Sequence, residues 1–149
     1  RNTRTVLIIK DLNKKEGQVC AAPVQLLDIY PTLVEMCHLR PFQALEGHSL
    51  TSLLQNPTQK WDYPALSFYG VGNIAVRDER FRLIKYEDGS AELYDLEEDP
   101  NEWYNLAKSG EYENILRQLS NHIPKNWAPS SKYSTYNINE YFINKGKSD

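Results

Sequence analysis

Residues 65–96 read ALSFYGVGNIAVRDERFRLIKYEDGSAELYDL. Four short runs, Ala65–Tyr69, Asn73–Arg77, Phe81–Tyr86 and Glu92–Leu96, are separated by Gly70 and Gly72, by Asp78-Glu79 and by Asp88-Gly89. Asp-Gly between two such runs is a hairpin signal, because glycine accepts the positive φ of a tight turn. Connections this short join neighbours that run antiparallel. The stretch predicts a four-stranded antiparallel meander, with Arg80 and Arg82 alternating onto one face of the third strand.

Beyond Leu96, Asp99-Pro100 makes a turn and Glu102–Leu106 starts a capped segment. Ile115, Leu116, Leu119 and Ile123 recur at helical spacing, so Tyr112–Ile123 is expected as an amphipathic helix covering one sheet face. No periodic pattern follows Pro124. Residues 124–149 are expected as an extended tail, draped over the surface or partly disordered.

On the other side, Val6-Leu7-Ile8-Ile9 reads as a buried strand and 10–18 as a surface loop. A buried-type strand this early suggests the middle of a fold, hence a fragment or a processed chain. Leu26, Leu27, Tyr30, Leu33, Val34 and Cys37 also recur at helical spacing. Pro31 is tolerated only in a first helical turn. A short turn over Gln25–Asp28, then a helix from Tyr30 to Cys37 with Asp28 as cap or buried anchor, satisfies both constraints. Ser49 can cap a second short helix, Leu50–Gln55, which Asn56-Pro57 ends. The fold class is α+β. Residues 1–58 are expected as a strand, a loop and two short helices, 59–123 as an antiparallel-sheet subdomain with its helix, and 124–149 as the tail.

The 149 residues are 40% hydrophobic and 25% charged, with a net charge of −3, an ordinary globular balance. Basic residues are scattered among acids. No stripe suits a phosphate backbone, so nucleic acid is not an expected partner. No apolar run reaches the roughly 20 residues a bilayer requires, so no membrane partner is expected either. Cys20 and Cys37 are too few for a disulfide framework, and their spacing does not match a zinc site. His38, His48 and His122 have no metal-like spacing.

Several segments together resemble one family. Pro23–Leu33 resembles the V-x-L-x-D-x-x-P-T-L element of sulfatases, and Glu46-Gly47-His48-Ser49-Leu50 the x-G-x-S-L element after it. Ala75-Val76-Arg77 with Arg80–Ile84 resembles the A-[IV]-R-x-x-R-[YF]-R-[YL]-I strand pair. Glu92–Leu96, Asp99-Pro100, Glu102 and Asn105-Leu106 resemble E-L-Y-D-L-x-x-D-P-x-E-x-x-N-L. All four in this order cover roughly residues 5–107. The chain is identified as the C-terminal part of a formylglycine-dependent sulfatase of the alkaline-phosphatase-like superfamily. It is most similar to bacterial iduronate-sulfatase-like carbohydrate sulfatases, in which a stretch like Gly70–Arg77 also occurs.

The resemblance implies that residues 1–58 are the end of a large α/β domain. It implies an upstream catalytic portion as partner, with a formylglycine nucleophile made from Cys or Ser in C/S-x-P-x-R, and Ca²⁺ held by Asp and Asn. It implies attack on sulfur by the hydrated aldehyde, in-line loss of the alcohol and release of sulfate. It also implies a sulfated carbohydrate substrate, polysaccharide degradation, and a periplasmic or secreted location. Cys20-Ala21-Ala22-Pro23 and Cys37-His38-Leu39-Arg40-Pro41 do not match the nucleophile motif. No catalytic residue, metal ligand or bound cofactor is therefore assigned to this chain, which is expected to be inactive by itself.

Candidate substrate-binding residues remain. Arg77 closes the Gly-rich loop, and its planar guanidinium suits bidentate recognition of a uronate or sulfate. Arg80 and Arg82 read either as such contacts or as a solvated face with acid partners. Gly70-Val71-Gly72-Asn73 is either a plain hairpin loop or a close approach to a sugar, with Tyr69 and Asn73 binding hydroxyls. His48 is a surface histidine or a sugar contact. Lys10 follows the first strand at the edge where α/β sites lie. Trp61, Trp103, Tyr104 and Trp127 read as packing residues, and so does Tyr94. Two further readings stand beside this one. A phosphodiesterase or phosphonate hydrolase of the same superfamily would differ in its upstream nucleophile, and a non-catalytic carbohydrate-binding module would lack an upstream portion.

Overall fold

The computed structural model describes residues 5–10, 16–41 and 43–128. Its internal contacts divide the chain into two compact units. One reaches to Ala65 and includes Arg77–Arg80; the other holds Leu66–Val76 and the chain from Phe81 onward.

In the first unit a 3₁₀ turn over Leu26–Asp28 leads into helix α1, Ile29–Met36. Pro31 falls in the first turn, where its missing N–H would have no intrahelical acceptor anyway. Helix α2 spans Thr51–Gln55 and is preceded by the Ser49 hydroxyl, which accepts from the Thr51 N–H at 3.3 Å. Val34, Leu50 and Leu53 are buried between these elements, with Asp28 and Thr32 buried beside them. The Thr32 hydroxyl donates to the Asp28 carbonyl one turn back and accepts the Leu50 N–H at 2.9 Å. One side chain thus fastens the start of α2 to α1.

Val6–Ile9, expected as a strand, has no regular secondary structure, and Val6 and Ile8 are 81% and 85% exposed. A strand exists by pairing its backbone groups with a neighbour. No described strand pairs with this run, so β-propensity has nothing to act on.

The second unit is built on a sheet of β1 (Ala65–Phe68), β2 (Ile74–Arg77), β3 (Phe81–Lys85) and β4 (Ala91–Asp95), in the order β1-β2-β3-β4. The meander follows from its turns. Gly70, Gly72 and Gly89 all have positive φ. In the β3–β4 hairpin, antiparallel pairing sets Leu83 opposite Leu93 and Arg82 opposite Tyr94. One face therefore carries Ile74, Val76, Leu83 and Leu93 into a core that Leu119 completes. Each of these aliphatic side chains contributes about 1.5–3 kcal/mol by leaving water. Helix α3, Glu113–Ser120, supplies Leu119 with Ile115 and Leu116, and a 3₁₀ turn over Gly110–Tyr112 precedes it. The helix lies within the expected Tyr112–Ile123 but is shorter at both ends.

Strand β4 would present a bare edge, which the segment after it covers. The Leu106 N–H donates to the Leu93 carbonyl at 2.8 Å. Asn105 Oδ1 accepts from the Leu93 N–H at 3.1 Å, and its Nδ2 donates to the Ala91 carbonyl at 3.3 Å. Covering an edge in this way removes a template for aggregation. Trp127 packs edge-on against Phe68 at 5.5 Å, as a packing aromatic should. Trp103 and Tyr104 depart from that expectation at 72% and 70% exposed. Their backbone N–H groups are fixed by the Asp99 carboxylate, which leaves both rings on the outside of the turn. The expectation of an extended tail concerns residues that, from 129 onward, lie outside those described.

Candidate functional site

The first unit holds a polar hollow of about 460 Å³. Its geometry begins with Gly47. A Cβ there would lie 2.0 Å from the Leu27 carbonyl oxygen, so glycine alone lets the loop press against the turn before α1. That approach brings the next N–H, of His48, within 2.9 Å of Asp28 Oδ1, while Asp28 Oδ2 accepts the Gln25 N–H at 2.9 Å. The buried carboxylate thus ties two loops and fixes the backbone of His48.

The His48 ring stacks on Tyr63, with centroids 3.5 Å apart and planes 20° from parallel. Trp61 meets Tyr63 edge-on at 5.0 Å. Opposite this aromatic wall, α1 projects Glu35, whose carboxylate accepts from the Ser49 and Thr51 hydroxyls. Those hydrogen bonds hold Glu35 below the ordinary carboxylate pKa, against the smaller opposing effect of burial. Lys60 Nζ and Asp62 Oδ1 are paired at 2.5 Å on the rim. The hydrogen bond and charge of Asp62 raise the Lys60 pKa.

Of the five residues named from sequence, His48 lines this hollow. Tyr69 and Asn73 meet in the β1–β2 hairpin, where the Tyr69 N–H donates to the Asn73 carbonyl at 3.0 Å. The Asn73 side chain is engaged within the second unit. Nδ2 donates to the Val71 carbonyl at 3.2 Å, and Oδ1 accepts the Glu87 N–H at 3.3 Å. Gly72 is required there, because a Cβ would stand 2.9 Å from Glu87 Cβ. Tyr69 is 72% exposed. Arg77 ends β2, half-buried, and groups with the first unit. Lys10 is exposed in a segment without regular structure.

The other face of β3 and β4 carries a polar cluster. Arg82 Nη1 donates to both carboxylate oxygens of Glu102 at 2.9 Å, with both side chains largely covered. Glu102 has φ +59°, a left-handed conformation uncommon for a side chain with a Cβ. The Tyr94 hydroxyl donates to Glu92 Oε2 at 3.0 Å. Burial, then that hydrogen bond and the Glu92 charge, push the phenol up to about 12. The acid partner expected for the third strand is thus present at Arg82.

Among the described residues no group of three or more His, Cys, Asp and Glu side chains could hold a metal ion. They do not fit the Ca²⁺ that the resemblance implies, and Cys20 and Cys37 are exposed free thiols outside any nucleophile motif. No described helix is long and apolar enough to cross a membrane. Sequence reasoning missed Glu35, Lys60, Asp62 and Tyr63. A signal was present in Lys60-Trp61-Asp62-Tyr63, where charged and aromatic residues alternate just before the first strand.

The second unit is a four-stranded antiparallel sheet with one covering helix, in keeping with the α+β class expected from the sequence. The family model described as "N-sulphoglucosamine sulphohydrolase, C-terminal" matches residues 1–128, and the chain belongs to this family. A sulfatase of Formosa agariphila is 36% identical over 141 residues, covering 95% of this chain and 28% of that protein. A Delta 4,5-hexuronate-2-O-sulfatase of Bacteroides thetaiotaomicron is 29% identical over 119 residues, covering 74% of this chain and 24% of that protein. The fold is shared with a solved structure of a protein in complex with its substrate D-glucosamine-2-N,6-O-disulfate. That alignment has a TM-score of 0.51 and 22% identity over 63% of this chain and 22% of the other. The chain spans about a quarter of the length of the curated relatives it matches.

Proposed function

We propose that the complete protein hydrolyses sulfate esters of carbohydrates, with uronic-acid-containing polysaccharides as the substrate class, and that this chain helps to bind the sugar. The observation that carries the reading is the family match over residues 1–128. The nucleophile and Ca²⁺ belong to an upstream portion, and the chain by itself is inactive. Exposed apolar side chains support this division. Leu26, Tyr30 and Leu33 line the outer side of the first helical segment, whose inner side is already buried. A helix apolar all round is normally enclosed.

In this reading the chain's own residues bind and orient. Arg77 meets a sulfate or carboxylate through two parallel N–H donors. Asn73 holds the glycine loop in shape and Tyr69 offers its ring and hydroxyl to a sugar. Lys10 contributes positive charge, and His48 contacts a sugar unit. Location in the periplasm or outside the cell belongs to the same proposal.

The test is sulfate release, measured by ion chromatography, from sulfated glycosaminoglycan disaccharides by the complete protein and by this chain. The complete protein should release sulfate and the chain should not. Arg77→Ala should lower turnover of anionic substrate without unfolding. Turnover of phosphonate monoesters or phosphodiesters without sulfate release would replace the reading, and unchanged kinetics in Arg77→Ala would remove that residue from the site.

A further inference from the structure

We propose that the hollow between α1 and residues 59–63 is a subsite for an uncharged sugar unit. The inference rests on the carbohydrate reading above and names the ligand class of one pocket.

Three features point to a sugar. The hollow, at about 460 Å³, lies within the roughly 300–1,000 Å³ typical of small-molecule sites. Its aromatic wall is rigid: the Asp28 carboxylate pins His48, His48 stacks on Tyr63, and Trp61 supports Tyr63 from the side. Tyr63 remains 43% exposed, so part of its surface is free to meet the C–H face of a pyranose. The same hollow is lined by acceptors: the Ser49 and Thr51 hydroxyls, whose protons go to Glu35 but whose oxygens keep lone pairs, and the Glu35 carboxylate itself. Sugar hydroxyls can donate to these oxygens.

Charge decides which sugar. Two carboxylates, Glu35 and Asp62, line the hollow against one ammonium, Lys60, and that ammonium is already paired with Asp62. A sulfate or uronate would meet like charge with no unpaired Lys or Arg among the lining residues to offset it, and such juxtaposition is disfavoured. An uncharged hexose meets acceptors for its hydroxyls at no such cost. The hollow therefore suits a neutral unit of the chain rather than the unit that bears the sulfate.

The Trp61 indole N–H is enclosed and has no acceptor among the described residues, which makes its NMR resonance a reporter of any change beside it. The experiment titrates methyl β-glucopyranoside, then glucuronate and glucose 6-sulfate, into ¹⁵N-labelled protein. The neutral glycoside should shift the indole signal saturably, with a dissociation constant on the order of 1–10 mM for a ligand of this size. The anionic sugars should bind at least about threefold more weakly. Tyr63→Ala should weaken binding about tenfold, and Glu35→Gln, which leaves the aromatic wall intact, should also weaken it. No saturable shift up to ~100 mM, tighter binding of the anions, or indifference to both substitutions overturns the subsite. Sulfate release by the complete protein is scored separately. A sulfatase that does not bind neutral sugar here loses this subsite and keeps its function, whereas neutral-sugar binding without sulfate release does the reverse.

Discussion

Replacing Asp28 by Asn should weaken the first unit by about 2–4 kcal/mol. Asp28 is 2% exposed, and each carboxylate oxygen accepts one backbone N–H at 2.9 Å, from Gln25 and from His48. Asparagine keeps one oxygen and turns an NH₂ toward the other donor. A hydrogen bond to a charged group contributes about 1.5–3 kcal/mol, and a buried donor left without an acceptor costs about 1–3 kcal/mol. The two figures overlap, because losing the bond is what strands the donor, so the total stays near the stated range. With a urea dependence of about 1–3 kcal/mol per molar, the midpoint should fall by roughly 1–2 M. Urea titration followed by tryptophan fluorescence reads this, since Trp61 lies in the same unit. Asp28→Ala removes both acceptors and should cost about 1–2 kcal/mol more than Asn. Equal midpoints for the two variants, or a loss below about 1 kcal/mol in either, would show that the carboxylate is not the tie between these loops.

Glu102→Ala should cost about 1.5–3 kcal/mol in chemical denaturation by leaving Arg82 largely covered and unpaired, a value reduced for the partial exposure of the pair. Glu102→Gly should cost about 1 kcal/mol less than Ala because φ is +59° there; equal losses would argue that the backbone carries no strain. Stability should also decline between pH ~10 and ~12, since the Tyr94 phenol keeps in the folded state a proton that the unfolded chain releases near pH 10. The decline amounts to about 3 kcal/mol at most, is absent below pH ~10, and should shrink in Tyr94→Phe; an alkaline limb identical in the two proteins would refute the assignment.

Much of the fold was legible because local chemistry and global arrangement agree. Gly70, Gly72 and Asp88-Gly89 punctuate the sheet where positive φ is needed, and the strands between them carry alternating buried residues. Asp28 and Pro31 located the helix start to within one residue. The failures have a common cause. Val6–Ile9 reads as a strand because it is a β-branched apolar run, yet strand formation depends on a neighbour that no described segment supplies. Trp103 and Tyr104 read as packing residues because large aromatics usually are, but the Asp99 carboxylate dictates where their backbone turns. The hollow was illegible for the same reason. Glu35 meets Ser49 and Thr51 through a tertiary bond, His48 to Asp28, that no local pattern encodes.

The residues that carried the family resemblance are chiefly those that hold the scaffold. Asp28, Thr32 and Gly47 join helix to loop; Arg82 and Glu102 pair; Asp99 and Asn105 fix the segment that covers β4. Each does work that few other side chains can do, since it needs a buried carboxylate, a missing Cβ or an amide that donates and accepts at once. Lys60, Asp62 and Tyr63 are under no such constraint. All three are exposed and make none of the ties that hold α1 to its loop, whereas Glu35 joins those ties through the Ser49 and Thr51 hydroxyls. Under the proposed subsite, sugar preference can change at these three positions while the fold remains intact. Motif resemblance is accordingly a strong guide to which scaffold this chain builds and a weak one to which sugar it meets. Under the proposed subsite, the Tyr63 wall and the charge balance around Lys60 are where that second question is decided.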